Sequence, residues 1–381
     1  SAASAAEQKI SAQLSLVAKD GNTALSFQGS ADPALNLAGK LTLQNMDANF
    51  FQPFLVSEKA MRFRKGSMYL TGLLRLDQAD GKTDLKLSGS AIRIRNFALQ
   101  HHKTTLLTGK DLNGTGCSVG RKQGIACDKM VLDQADFSEA APKFFLLSGT
   151  TCNRFHFTSK NLELNDSLLR FRVPGFEEKQ ALITLSGLQL SLNEQKSLNL
   201  EAALDKGEKK GSPKKRRVIF KGKADTPLQL SGTITLENMS VDLLQPYLST
   251  GEKLHFSKGS MKITGTLQQS LSKSKPEWKI SGSSLAIKDF ALHQDTTSLI
   301  SGQSLNCKGC SIDGITQRIS CTQAQLDQAK FSAKAPAFFL SSAKNVKRNF
   351  SFNTLEVGNS SARLRLPGTQ IELPLSSLKL R

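Results

Sequence analysis

No stretch of this chain approaches the roughly 18 to 20 consecutive apolar residues that a membrane-spanning helix needs, and no basic-apolar-small leader opens it. The chain begins at Ser1 without a methionine, which reads as a mature protein or an excised piece, with any anchor or signal lying outside it. One Trp and two Tyr offer few platforms on which bases could stack. The five histidines, His101, His102, His156, His255 and His293, are scattered, and no Ser-His-Asp set, glycine-rich phosphate loop or paired-carboxylate motif accompanies them. A catalytic role is therefore not expected. Nor is a metal centre, because the six cysteines do not form the two Cys-x-x-Cys pairs of a zinc knuckle, and no cofactor is expected.

Positive charge, by contrast, is abundant. Lys and Arg number 51 against 32 Asp and Glu, a formal charge of +19, which suits an anionic partner or surface, or serves solubility. The densest run is Lys209-Lys210-Gly211-Ser212-Pro213-Lys214-Lys215-Arg216-Arg217. It falls where the first half of the chain has only Asp20-Gly21, so it reads as a solvated insertion in one loop, and no nucleic-acid partner is expected.

The chain repeats itself. Ala38-Gly-Lys-Leu-Thr-Leu-Gln-Asn-Met46 aligns with Ser231-Gly-Thr-Ile-Thr-Leu-Glu-Asn-Met239, an offset of 193 that also carries Gln52-Pro-Phe-Leu55 onto Gln245-Pro-Tyr-Leu248. Lys65-Gly-Ser-Met68 and Lys258-Gly-Ser-Met261 follow, then Asn96-Phe-Ala-Leu99 and Asp289-Phe-Ala-Leu292. Beyond the cysteines the offset slips by one, so that Leu132-Asp-Gln-Ala135 meets Leu326-Asp-Gln-Ala329. Two tandem units, 1–192 and 193–381, are the expected organisation, as a segment of a longer array.

Alternation with period two dominates, the pattern of strands with unlike faces. Met61 and Phe63 oppose Arg62 and Arg64, Ile92 and Ile94 oppose Arg93 and Arg95, Leu169 and Phe171 oppose Arg170 and Arg172, and Leu364 and Leu366 oppose Arg363 and Arg365. Short strands separated by Asp-Gly, Pro-Gly and Ser-Gly steps predict antiparallel hairpins and meanders, with about eight to ten strands per copy. Phe50 to Leu55 and Leu243 to Leu248 read as short helices or turns over an edge. Cys117 and Cys127, and again Cys310 and Cys321, flank short loops and read as two disulfides of an oxidising compartment, the alternative being buried free thiols. Cys152 and Cys307 have no counterparts. The fold class is all-β, mostly antiparallel with a few short helices, arranged as two repeats forming an elongated, curved β-sheet groove or, alternatively, as two β-sandwiches.

The order of these elements resembles the repeats of the AsmA-like family of bacterial envelope proteins. The likeness rests on Leu-Thr-Leu-Gln-Asn-Met, Gln-Pro-Phe-Leu, Lys-Gly-Ser-Met-Tyr-Leu-Thr-Gly and Leu-Ser-Gly-Ser-Ala-Ile-Arg-Ile-Arg-Asn-Phe-Ala-Leu, from Leu41 to Leu99 and again from Ile234 to Leu292, about a third of each copy. The resemblance implies a periplasmic β-groove that transports phospholipid towards the outer membrane, held at the inner membrane by a segment outside this chain and meeting inner- and outer-membrane protein partners. Acyl chains would then lie against Leu41, Leu43, Met61, Phe63, Ile92, Ile94, Leu169 and Phe171, continued by Ile234, Leu236, Leu254, Phe256, Leu285, Ile287, Leu364 and Leu366. A structural or adhesive β-array of the envelope without lipid cargo is the alternative.

Overall fold

The computed structural model describes residues 10–17, 23–32, 36–51, 61–79, 82–120, 124–141, 157–172, 182–205, 216–226, 229–248, 254–272, 275–335, 349–366 and 369–380. They are almost entirely β-strand and divide between two compact units, 1–206 and 207–381.

The first unit holds β1 (Ile10–Val17), β2 (Ala24–Ala31), β3 (Leu37–Asp47), β4 (Met61–Ala79), β5 (Lys82–His101) and β6 (Thr104–Gly120). They are followed by β7 (Gly124–Asp133), β8 (Asp136–Phe137), β9 (Phe157–Arg172), β10 (Leu182–Leu192) and β11 (Ser197–Asp205). Each strand through β7 pairs antiparallel with the next. β9, β10 and β11 continue the same ladder, so the described strands of this unit are joined in one continuous run of hydrogen-bonded pairs. β11 carries Ser197-Leu-Asn-Leu200, where the second copy begins in sequence, yet it pairs with β10. The packing boundary therefore falls at 206/207, after the point where the sequence starts to repeat.

The second unit contains β12 (Arg217–Thr226), β13 (Gln229–Ser240), β14 (Leu254–Ser272), β15 (Lys275–Gln294), β16 (Thr297–Asp313), β17 (Arg318–Asp327), β18 (Lys330–Phe331), β19 (Phe350–Leu366) and β20 (Thr369–Leu380). The sheet order is that of β2 to β10. The one-residue slip has a simple origin: three residues separate β6 from β7, and four separate β16 from β17.

Two expectations need correction. The strands are long, β4 having 19 residues and β5 having 20, because several turn-like residues lie inside strands. Asn45, Gly89, Asn96, Gly116 and Asp166 take φ between 44 and 60°, as do Asn238, Gly282, Asp289, Gly309 and Asn359 at an offset of 193. Most coincide with register shifts, so Ser88-Gly89 and Ser281-Gly282 mark β-bulges and not hairpin turns. Only Gly, Asn and Asp tolerate the left-handed conformation readily, and each bulge bends and twists its strand.

The meander is also broken once per unit. β7 and β9 run parallel, Ile125 opposite Phe157 through Asp133 opposite Asn165, and β17 and β19 repeat this from Ile319 opposite Phe350. Parallel neighbours need a long crossover, and 19 residues separate β8 from β9 where an antiparallel hairpin would need two to five.

The short helical elements are 3-10 turns at Ala48–Phe51 and Val241–Tyr247. Ser240 caps the second, its hydroxyl accepting from the Asp242 amide. Ala48 and Val241 are fully buried, each over a glycine of the next strand. A Cβ at Gly66 would meet Ala48 at 3.2 Å and one at Gly259 would meet Val241 at 3.2 Å, so these glycines admit the helices. Gln52 to Leu55 lie outside the described residues.

Candidate functional site

The pairings assemble the inward side chains into rows that cross the sheet. In the first unit Met46, Met68, Ile94, Leu112, Leu132, Leu164, Leu190 and Leu200 follow one another, each cross-strand to the next, from β3 to β11. At about 4.8 Å per strand, seven steps span roughly 34 Å. The second unit repeats the row as Met239, Met261, Ile287, Leu305, Leu326 and Val357. A neighbouring row runs Leu43, Leu70, Ile92, Gly114 and Met130, matched by Leu236, Ile263, Leu285, Cys307 and Ala324.

Of the side chains expected to line a groove, Leu43, Met61, Phe63, Ile92, Ile94, Leu254, Leu285 and Ile287 are buried, none more than 8 % exposed. Leu41, Leu169, Ile234, Leu236 and Phe256 are half-buried. Phe171, Leu364 and Leu366 stand in β9 and β19, but their side chains lie outside the described residues. Sequence reading missed Leu112, Leu132, Leu164, Leu326 and Val357, because alternation shows which way a side chain points and not which residue stands beside it on the next strand.

The opposite face is polar. Tyr69, Arg93 and Asn113 are cross-strand neighbours there and help to line a depression of about 510 Å³ in the first unit. Arg93 and Arg95 share one carboxylate, Asp111, at 2.8 and 3.8 Å. In the second unit Glu237, which replaces Gln44, stands between Lys262 at 2.9 Å and Arg217 at 3.8 Å. The Lys262 hydrogen bond holds the Glu237 carboxyl below its ordinary range. These cations stay in water on the face away from the apolar rows.

No known protein family, curated protein or solved structure matches the chain.

Both disulfides are present: Cys117 to Cys127 joins β6 to β7, and Cys310 to Cys321 joins β16 to β17. Each bond links directly opposed residues with Cα atoms 3.9 Å apart. Cys152 lies outside the described residues, and Cys307 is a buried free thiol. Burial pushes that thiol up to about 12. Among the described residues, Cys307, Cys310 and Cys321 form the one group whose spacing could suit a metal ion, and two of these sulfurs are already bonded to each other. His101 and His102 touch, with burial and then His102 lowering the His101 pKa, while His255 stacks on His293. Among the described residues no helix is long and apolar enough to cross a membrane. The disulfides suit an oxidising setting outside the cytoplasm.

Proposed function

We propose that this chain is a segment of a periplasmic lipid-transport bridge, its apolar β-face carrying phospholipid acyl chains between the inner and outer membranes. The observation that carries this reading is the pair of apolar rows that cross the strands and recur in both units at equivalent residues, Ile92 and Ile94 in one, Leu285 and Ile287 in the other. A surface of this kind favours a methylene by about 0.8 kcal/mol wherever it sits, so movement along a row meets no deep minimum. Anionic head groups would remain in water, where a chain of charge +19 tolerates them. Loading requires the buried face to part.

That burial favours a second reading, a structural β-array of the envelope without cargo. The two are separated by placing a diazirine-bearing aliphatic residue at position 94 or 287, irradiating in cells, and identifying adducts by mass spectrometry. Leu73 and Ile315, about 60 % exposed, are the control positions. Lipid adducts at 94 and 287 but not at 73 and 315 support transport. Adducts confined to this chain's own peptides would sink the lipid reading and leave the structural array.

A further inference from the structure

The second unit sets a thiol against its own disulfide. Cys307 and Cys310 are three residues apart on β16, a spacing that in a regular strand points side chains to opposite faces. Gly309, at φ +58°, makes a bulge that absorbs one residue: Leu285 pairs with Cys307, and Ser283 with Cys310. Both sulfurs therefore turn inward, where Cys310 is bonded to Cys321 of β17. The three sulfurs lie within 4.8 Å of one another, and none of the three residues is more than 3 % exposed.

The first unit supplies the contrast. Its bulge at Gly116 is the same, but the place of Cys307 is taken by Gly114. A Cβ there would stand 2.7 Å from the Cys117 sulfur and 3.1 Å from the Cys127 sulfur, so any side chain at this position bears directly on the disulfide.

We propose that Cys307 exchanges with the Cys310–Cys321 disulfide. Cys307 gives up its proton, its sulfur bonds to the Cys310 sulfur, the Cys310–Cys321 bond breaks, and the electron pair leaves on the Cys321 sulfur, which takes up a proton. One disulfide and one thiol are present before and after, so no oxidant or reductant is needed. The exchange moves the cross-link from between β16 and β17 to within β16 and releases that hairpin. Burial closes the set to outside thiols, and the raised Cys307 pKa keeps the step slow, in the range of minutes to hours known for uncatalysed rearrangement.

The test uses the full chain with Cys152→Ser, so that Cys307 is the one free thiol at the start. The folded protein is incubated at mildly alkaline pH, quenched in acid, alkylated while unfolding below neutral pH, and mapped by peptide mass spectrometry. The label is expected to divide between Cys307 and Cys321 with time, with a Cys307–Cys310 link appearing, and Cys307→Ala should keep the Cys310–Cys321 link alone. Label that stays wholly on Cys307 at every time overturns the proposal. So do links between cysteines of different units, which report unfolding and not local exchange.

Discussion

The Ser167 hydroxyl accepts a hydrogen bond from the Ala135 amide at 3.1 Å and donates to the Asn165 carbonyl at 2.9 Å. Ser360 repeats this with Ala329 at 2.9 Å and the Gly358 carbonyl at 2.6 Å. Each serine stands where a strand joins its neighbour in parallel, beside residues of positive φ, Gln134 and Asp166 or Gln328 and Asn359. Asn165 donates to Asp133 and Asn359 to Asp327 across the same junctions. Ser167→Ala leaves the Ala135 amide without its acceptor in a buried place, and should cost about 1 to 3 kcal/mol. Urea unfolding of this variant and of Ser360→Ala checks it. A loss below a few tenths of a kcal/mol in both would mean that water replaces the hydroxyl.

Phe97 lies over Gly109, its cross-strand partner, and Phe290 over Gly302. A Cβ at 109 would stand 2.6 Å from the Phe97 ring, and one at 302 would stand 2.9 Å from the Phe290 ring. Gly109→Ala should therefore overpack the site and cost about 1 to 3 kcal/mol. Phe97→Leu in the same chain should relieve part of that cost, a coupling that a double-mutant cycle reads directly.

Tyr247 is buried in the second unit, and burial first, then the Asp313 carboxylate, raise its pKa to about 12 from an ordinary 10. The neutral phenol is the form the fold accepts. Its contribution is full below pH 10 and is lost as the pH rises from 10 to 12, because the unfolded chain ionises first. Cys307 acts in the same sense from about 9 to 12. In a Cys307→Ala background, Tyr247→Phe should flatten the fall of stability between pH 10 and 12. An unchanged slope would assign it to other groups.

Replacing Cys117 and Cys127 together by Ser opens a link between residues 10 apart and should lower stability by about 2 to 3 kcal/mol. The loss should appear in the transition of the first unit. Thermal unfolding followed by calorimetry distinguishes it from a loss shared by both.

How far the sequence was legible depends on what kind of information each feature needs. Met61 and Phe63 against Arg62 and Arg64 declare buried and exposed faces locally, and the structure places them so. Ser88-Gly89 read as a turn because glycine permits both a turn and a bulge. Only the pairing of β5 with its neighbours shows which was formed. Cys307 carried a readable signal, the Cys307-Lys-Gly-Cys310 spacing, yet the bulge that turns both sulfurs inward cannot be inferred from spacing alone.

By itself, the sequence determined that this is a twice-repeated, all-β chain whose strands alternate apolar with polar side chains, since repetition and alternation are properties of neighbouring residues. Tertiary structure decided the parallel junctions, the bulges, the rows that join Ile94 to Leu112 and Leu132, and the meeting of three sulfurs. Each of these depends on strand register, and register is set by hydrogen bonds between residues far apart in the chain.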